Sequence, residues 1–214
     1  MDQKVQNTSY RLGAVLFYFI MINKNKNQVR QRLRAQRRAL STEQQLHAAT
    51  QVCNHITHLT RYRLSKNVAF YLSIEGELNP ELLLLDAHQA GKHCYLPVLH
   101  SEINALSFLP YSPGDELVAN HFGILEPKVN HEKNHIPLWQ LDIIFMPLVA
   151  FDKHHNRLGM GKGYYDKTFA VLNHKKADKP YLIGLAYQMQ EVDQLITEAH
   201  DIPLDLIVTE ISVL

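Results

Sequence analysis

The feature that most constrains this fold is a series of short, nearly continuous apolar runs separated by helical segments. The runs are Asn67–Ser73, His93–Val98, Ile143–Pro147, Tyr181–Ala186 and Leu206–Val208. A strand that is apolar on both faces is typical of a parallel sheet covered by helices on either side. We therefore expect a single three-layer α/β/α domain with a mostly parallel, Rossmann-like sheet.

Helical segments fill the intervals between these runs. The segment Gln28–Leu40 is rich in arginine, and Ser41 precedes a second helix that extends to about Leu59. Because Gln44 lies three residues after Ser41, the pair predicts a capping box. A third helix is predicted to begin at Pro80, since proline suits the first turn of a helix.

Parallel sheets bind ligands at the carboxyl ends of their strands, where the loops diverge. Three loops leave such ends in the predicted order of elements: Ile74–Asn79, Phe151–Gly163 and the turn after Ala186. We expect the functional site to lie among these loops.

The composition excludes several classes of protein. Of 214 residues, 46% are hydrophobic and 20% are charged, which is typical of a globular chain rather than a disordered one. The net charge of +1 gives no sign of a nucleic-acid or membrane partner. Cys53 and Cys94 lack the spacing of metal ligands and indicate reduced thiols. We expect a cytoplasmic monomer.

Residues 1–20 are expected to lie outside the fold. The apolar run Leu12–Ile22 is shorter than the about 20 residues that span a bilayer. It is followed by Asn23–Lys26 rather than by a signal-peptide cleavage site. We interpret Met21 as the physiological start, with an upstream extension or arm before it, and the domain as residues 21–214.

A glycine-rich loop, RLGMGKGYYD at positions 157–166, joins the apolar run Asp142–Asp152 to a helix predicted from Tyr164 to about Leu172. Glycines at alternate positions let backbone N–H groups approach an anion, and Arg157 and Lys162 add two positive charges. The spacing is neither that of a Walker A motif nor that of a GxGxxG fingerprint. The loop predicts phosphate binding; a tight turn with solvated charges is the alternative.

Several carboxylates allow two interpretations each. Asp166 lies just inside the helix after the loop, where it either complements the helix dipole or binds Mg²⁺ beside phosphates. Asp201, before the last strand, is the candidate for a second ligand. Glu75 and Glu77 flank Gly76, where they either accept hydrogen bonds from an amino group of a pterin or purine or are solvated.

The basic helix near the start of the chain is also ambiguous. Lys26 and Arg30 lie four residues apart and therefore share one helix face. That face either reaches bound phosphates, is simply solvated, or contacts nucleic acid. Tyr164 and Tyr165 either stack on a flat ring, or one of them belongs to the core.

One longer pattern joins these segments. Its central part is FMPLVAFD at positions 145–152, followed by NRLGMGKGYYD at 156–166. Supporting segments are KNQVR, RALS, FYLS with GEL, LPV and GILEP, at positions 26–30, 38–41, 70–73, 76–78, 96–98 and 123–127. In these motifs the chain resembles the 5-formyltetrahydrofolate cyclo-ligase family, from about Lys26 to Glu210.

The resemblance implies ATP-dependent conversion of 5-formyltetrahydrofolate to 5,10-methenyltetrahydrofolate, with release of ADP and phosphate. It implies that the formyl oxygen attacks the γ-phosphate of ATP and that N10 of the folate then displaces phosphate from the resulting iminium phosphate. ATP and Mg²⁺ are the implied cofactors, and 5-formyltetrahydrofolate is the implied substrate.

The resemblance also assigns residues to these ligands. The residues implied to bind the nucleotide are Lys26, Arg30, Arg157, Leu158, Gly159, Met160, Gly161, Lys162, Gly163, Tyr164 and Tyr165. The residues implied to bind the folate are Leu72, Glu77, Met160 and Tyr164, and those implied to bind Mg²⁺ are Asp166 and Asp201. Arg157, Lys162 and Tyr164 are the implied catalytic residues, with Arg157 and Lys162 stabilising charge on the transferred phosphoryl group and Tyr164 lying against the pterin.

Two other functions are weighed against this one. Open α/β sheets with glycine loops often bind phosphorylated sugars, so a sugar-phosphate isomerase-like enzyme is one alternative. A protein that binds RNA through the basic helix is the other, and it predicts a salt-dependent affinity that does not involve the glycine loop.

Overall fold

A six-stranded sheet organises the fold in the computed structural model, which describes residues 25–100, 102–103, 105–128, 135–170 and 179–214. The helices are α1 (25–38), α2 (Thr42–His58), α3 (Thr60–Leu64), α4 (Glu81–Gln89) and α5 (Tyr164–Ala170). The strands are β1 (Asn67–Ala69), β2 (His93–His100), β3 (Ala105–Pro110), β4 (Leu117–Ala119), β5 (Leu125–Pro127), β6 (Ile143–Pro147), β7 (Ala150–Phe151), β8 (Arg157–Leu158), β9 (Tyr181–Leu185) and β10 (Leu206–Val208). The predictions about residues 1–20 and Met21 lie outside the described residues.

The strand order of the main sheet is β10-β9-β6-β1-β2-β3. Every neighbouring pair is parallel except β2 and β3, which pair antiparallel. Two small antiparallel ribbons, β4–β5 and β7–β8, lie outside this sheet. The predicted class, a mostly parallel sheet in one α/β domain, is confirmed.

Both faces of the sheet are covered, as the apolar runs predicted. Ile143 and Phe145 of β6 pack into a cluster with residues of α2, α3 and α4. The alternate residues Ile144 and Met146 pack into a second cluster that includes Phe169 of α5. Because successive side chains of a strand point to opposite faces, a strand between two helical layers must be apolar at every position.

Two of the predicted strands are shorter than their apolar runs. The run Asn67–Ser73 pairs in the sheet only through β1, and one further hydrogen bond joins Phe70 N to Tyr95 O at 2.9 Å. Phe70 and Tyr71 are buried in the helical layer instead, so their apolar character reflects burial rather than strand pairing. The run Asp142–Asp152 likewise divides into β6 and the separate strand β7.

The predicted helix starts are confirmed at atomic detail for α2. Ser41 Oγ accepts the Gln44 amide at 3.2 Å, and Gln44 Oε1 accepts the Ser41 amide at 2.9 Å. The helix after Pro80 is α4, with proline as its N-cap residue. Cys53 and Cys94 are free thiols, as predicted. No helix within the described ranges is both long and apolar enough to cross a membrane.

A third apolar cluster fixes α1 above the carboxyl edge of the sheet. Leu33 of α1 packs with Val149, Ala150, Leu158 and Leu195. Leu158 belongs to the β7–β8 ribbon, which leads directly into the glycine-rich loop. The basic helix is therefore held against the loops in which the sequence predicted the functional site.

Candidate functional site

One face of α1 carries four cations at the carboxyl edge of the sheet. Lys26, Arg30, Arg34 and Arg37 are spaced by four, four and three residues, a spacing that places them in one row along a helix. We call this row the cationic face of α1. The sequence predicted the first two members of the row but assigned no role to Arg34 or Arg37.

Arg30 is seated on the glycine-rich loop. Its Nε donates a hydrogen bond to Gly159 O at 2.8 Å. Gly161 has a φ of +96°, and a Cβ atom there would lie 3.4 Å from Arg30 Cζ. Glycine is needed at this position both for the left-handed backbone and for the approach of the guanidinium. The structure thus brings together the basic helix and the phosphate-loop candidate.

Lys26 lies among acidic side chains of the segment before β10. Its Nζ is 2.8 Å from Glu198 Oε1 and 3.7 Å from Asp201 Oδ2. Asp201 Oδ2 also accepts the Glu198 amide at 2.8 Å, which orders this short segment. Asp201 is therefore close to a cation that the family resemblance assigned to the nucleotide.

Arg157 and Asp166 form an ion pair across the glycine-rich loop. Arg157 Nη2 is 2.7 Å from Asp166 Oδ1, and Arg157 Nη1 donates to Ile202 O. The Arg157 side chain is only 6% exposed, so its charge is directed inward. Asp166 lies in the first turn of α5, as predicted.

The remaining cation of the loop, Lys162, is exposed. Its Nζ lies 5.6 Å from the centroid of the Phe122 ring, which is 46% exposed at the turn between β4 and β5. The Tyr164 ring is 6.4 Å from Phe122. Met160 is also exposed. These side chains leave a charged, partly aromatic surface accessible to a ligand. Phe122 carries no local signal that could have identified it from sequence.

Asp166 and Asp201 are the two carboxylates predicted to bind Mg²⁺. Both lie beside Ile202: Asp166 Oδ1 accepts the Ile202 amide at 3.2 Å, and Asp201 precedes it in the chain. Among the residues that the structure describes, no group of three or more His, Cys, Asp and Glu side chains is arranged to hold a metal ion. A pair of carboxylates fits Mg²⁺ that is completed by phosphate oxygens and water, rather than an all-protein cage.

Glu77 is a buried carboxylate in the loop after β1. It is 6% exposed, and its Oε1 lies 3.9 Å from Arg37 Nη1. Its Oε2 accepts the Ile74 amide at 3.2 Å. Burial raises the pKa of Glu77 to about 7, although the Arg37 charge and the Ile74 hydrogen bond oppose the rise. A carboxylate with this pKa is typical of a functional site.

The loop that carries Glu77 has an uncommon backbone conformation. Glu75 has a positive φ of 48°, which is uncommon outside glycine. Its carboxylate pairs with Arg34, and its carbonyl accepts a hydrogen bond from Arg37 Nε at 3.2 Å. A Cβ atom on Gly76 would lie 3.2 Å from the carbonyl oxygen of Arg37. Two residues of the cationic face of α1 therefore determine the shape of this loop.

The two remaining predicted residues lie on different faces of the sheet. Leu72 packs, partly buried, against the cluster that includes α2, α3 and α4. Tyr165 packs against the opposite cluster, with its ring 6.0 Å from Phe169. Burial, followed by the negative charge of Glu77, raises the pKa of Tyr165. Tyr165 thus belongs to the core, and the charge of Glu77 influences the pKa of the Tyr165 hydroxyl.

Comparison with known proteins identifies the family. The sequence model of the 5-formyltetrahydrofolate cyclo-ligase family matches residues 22–210. The chain belongs to this cyclo-ligase family. The 5-formyltetrahydrofolate cyclo-ligase of Haemophilus influenzae is 43% identical over 185 residues, which are 86% of this chain and 97% of that protein. The Escherichia coli K12 cyclo-ligase is 40% identical over 178 residues, which are 83% and 96% of the two chains.

Solved structures share the cyclo-ligase fold. The NMR structure of Aquifex aeolicus 5,10-methenyltetrahydrofolate synthetase superposes with a TM-score of 0.72 at 34% identity, covering 88% of this chain and 91% of that one. Membership confirms the resemblance inferred from the motifs and makes this protein a ligase. It removes the alternative of a sugar-phosphate isomerase-like enzyme.

Proposed function

We propose that this cyclo-ligase converts 5-formyltetrahydrofolate to 5,10-methenyltetrahydrofolate, with cleavage of ATP to ADP and phosphate. The observation that carries the proposal is the contact between Arg30 and Gly159 O, at 2.8 Å. It joins the cationic face of α1 to the glycine-rich loop, on the same edge of the sheet as Glu77. A polyphosphate and a folate can then bind side by side.

The chemistry requires activation of a poor leaving group. An N-formyl oxygen does not leave as oxide or hydroxide, so in the proposed reaction it attacks the γ-phosphorus of ATP and ADP departs. The product is an iminium phosphate in which the formyl carbon is electrophilic. N10 of the folate attacks that carbon, the C–O bond breaks, and inorganic phosphate leaves. The proton on N10 is lost to solvent, and the cyclic methenyl product remains.

The protein contributes alignment and charge rather than a covalent intermediate. We assign Lys162 and Arg157 to the phosphoryl group in transfer, and Lys26 and Arg30 to the other phosphates. Lys162 is exposed and forms no ion pair with the residues that the structure describes, so it is available to a ligand. Preorganised cations near developing charge are usually the largest single contribution to this type of catalysis.

Two of these cations are paired with carboxylates in the structure. Lys26 contacts Glu198 and Asp201, and Arg157 contacts Asp166. The proposal assigns both aspartates to Mg²⁺, which would neutralise phosphate charge when it is bound with the nucleotide. Nucleotide binding then exchanges carboxylate partners for phosphate oxygens, so that both sets of charges stay compensated.

The folate is assigned to the opposite side of the glycine-rich loop. Glu77 accepts hydrogen bonds from the pterin, Tyr164 lies against the pterin ring, and Leu72 and Met160 supply apolar contact. The support for Glu77 is its burial together with spare acceptor capacity, since a single backbone amide at 3.2 Å donates to it. In this proposal, groups from α1, the loop after β1 and the glycine-rich loop bind the two substrates.

The test is a continuous assay with the full chain, ATP, Mg²⁺ and 5-formyltetrahydrofolate. We expect the methenyl chromophore and ADP to appear in equal amounts, and neither to appear when ATP or the folate is omitted. ADP release that is independent of the folate would contradict the proposal. We also propose that the enzyme acts as a cytoplasmic monomer without a nucleic-acid partner. The last point is supported by α1, where Arg30, Arg34 and Arg37 contact other parts of the protein.

A further inference from the structure

Arg37 is the most buried member of the cationic face of α1. It is 1% exposed, and its Nη1 donates to Leu148 O at 3.3 Å. Its Nε donates to Glu75 O at 3.2 Å, and Nη1 lies 3.9 Å from Glu77 Oε1. A single guanidinium therefore contacts the loop after β1 and the segment after β6.

These contacts lie where three neighbouring strands end. The strands β1, β6 and β9 are adjacent and parallel, so their carboxyl ends meet at one place on the sheet edge. Gln190, in the segment after β9, donates to Leu148 O at 2.7 Å and to Val149 O at 3.0 Å. Arg37 and Gln190 thus share one carbonyl acceptor beneath the site.

Stability alone does not account for a buried arginine here. Among the described residues, Arg37 Nη2 has no hydrogen-bond partner although it is buried. Buried ion pairs are often replaced by apolar side chains without loss of stability. A buried donor without a partner in the protein is uncommon, and a role at the site is one explanation for it. The neighbouring carboxylate, Glu77, is the group on which Arg37 can act.

The surroundings of Glu77 make its ionisation depend on Arg37. Burial and the Glu75 charge favour the neutral carboxyl, whereas Arg37, the Ile74 amide and Arg34 favour the carboxylate; of the favourable influences, Arg37 is the largest. The tyrosines Tyr71, Tyr165 and Tyr187 also lie close enough to interact with Glu77 and stay neutral, since burial raises the pKa of each. Arg37 is the main source of compensating charge.

We propose that Arg37 is a positioning residue, which touches no substrate but keeps Glu77 in place as an ionised acceptor for the pterin. This inference rests on the proposed function. A pterin presents N–H donors. A carboxylate accepts hydrogen bonds from them more strongly than a protonated carboxyl group does. Loss of Arg37 should therefore weaken folate use most in the pH range in which Glu77 is ionised in the wild type but protonated in the variant.

The experiment compares Arg37→Gln and Arg37→Lys with the wild-type full chain across pH 5.5 to 9. The readout is kcat/KM for 5-formyltetrahydrofolate at saturating ATP, with KM for ATP measured in parallel. In Arg37→Gln we expect the acidic limb to move to higher pH by about one unit or more, since a neighbouring opposite charge shifts a carboxyl pKa by about that amount. Arg37→Lys should restore part of the shift, and KM for ATP should change less than about twofold.

Glu77→Gln provides the matched control, because it removes the titrating group itself. We expect this variant to lose the acidic limb. If the limb persists in Glu77→Gln, or if Arg37→Gln lowers activity without moving it, Arg37 has only a structural role and the inference is overturned. An inactive wild-type enzyme would instead contradict the proposed function, before any variant is made.

A second variant keeps the test possible if Arg37→Gln does not fold. Arg37→Gln leaves a buried acid without its counter-charge, which is strongly destabilising. Should it fail to fold, the double variant Arg37→Met/Glu77→Gln, in which neither side chain is charged, is expected to fold, because Arg37 is then needed only as the counter-charge of Glu77. A double variant that is unfolded would show that Arg37 is required for the fold itself and would overturn the inference.

Discussion

Two buried carboxylates in this cyclo-ligase behave in opposite ways. Asp152, at the turn between β7 and β8, is fully buried, and Glu77, in the loop after β1, is 6% exposed. Asp152 accepts hydrogen bonds from the amides of His154, Asn156 and Leu195 and from the Asn156 side chain, at 2.9 to 3.1 Å. Glu77 accepts one, from Ile74, at 3.2 Å.

The difference in partners decides the difference in ionisation. Burial acts to raise the pKa of both groups, but the four hydrogen bonds outweigh it at Asp152, whose pKa is lowered. At Glu77 burial prevails and the pKa rises to about 7. A carboxylate whose acceptor positions are satisfied within the fold is a structural element, whereas one that remains under-satisfied is suited to bind a ligand.

The largest expected effect is on the structural side of this comparison. Asp152→Ala leaves one buried and three partly buried N–H groups without their acceptor, and we expect the free energy of unfolding to fall by about 4 kcal/mol. Urea denaturation followed by circular dichroism measures it. The matched control is Asp115→Ala, an exposed turn aspartate with one backbone hydrogen bond at 2.8 Å, which should cost only about 1 kcal/mol. Equal losses in the two variants would contradict the structural role of Asp152.

Glu77 should show the opposite dependence of stability on pH. Its pKa rises from the usual 4.5 to about 7 on folding, so the folded protein retains the proton as pH increases through this window. The ionisation of Glu77 therefore lowers wild-type stability by on the order of 3 kcal/mol between about pH 4.5 and pH 7. Glu77→Gln should remove that decrease. If urea midpoints of the two proteins run parallel over this range, the pKa of Glu77 is not raised.

Lys162 tests whether the cations of the site serve the reaction rather than the fold. Lys162→Ala should lower kcat by about 100-fold or more, because a cation on a transferring phosphoryl group contributes about 3 kcal/mol to the transition state. Stability should change by less than about 0.5 kcal/mol, as is usual for an exposed side chain. Lys167→Ala, an exposed lysine on α5, is the control and should leave kcat unchanged. A Lys162→Ala enzyme with near-normal kcat would remove this residue from the mechanism.

The smallest expected effect distinguishes two glycines of the same loop. Gly161 has a φ of +96°, and a Cβ atom there would contact the Arg30 guanidinium. A Cβ atom on Gly159 would have no neighbour within 4 Å. Gly161→Ala should therefore lower stability by about 1 to 2 kcal/mol, the cost of a left-handed backbone, and raise KM for ATP. Gly159→Ala should have a smaller effect on stability. The reverse order would show that the Arg30 contact does not shape the loop.

Local patterns predicted the parts of the site that depend on nearby residues. The capping box of Ser41 and Gln44 requires only a separation of three, and it is present. The shared face of Lys26 and Arg30 follows from helical spacing, and Arg30 does reach the glycine-rich loop. The same spacing extends to Arg34 and Arg37, but the sequence does not tell which cations of a basic helix point inward.

The apolar run Asn67–Ser73 shows the limit of such patterns. Strand and buried loop both favour apolar side chains, so periodicity did not predict that the chain leaves the sheet after Ala69. Phe122 illustrates a different limit, because its place beside Lys162 depends on a ribbon that folds from a distant part of the chain.

The sequence by itself determined the layered α/β architecture, the phosphate-loop candidate and the family, because these depend on alternation, glycine spacing and motifs that are local in the chain. Only the tertiary structure decided which charges meet. Arg37 contacts Leu148, 111 residues away, and Glu77 acquires its raised pKa from burial that no neighbouring residue encodes. Ionisation depends on solvent exclusion and on the partners that folding brings together, and these exist only once the chain has packed.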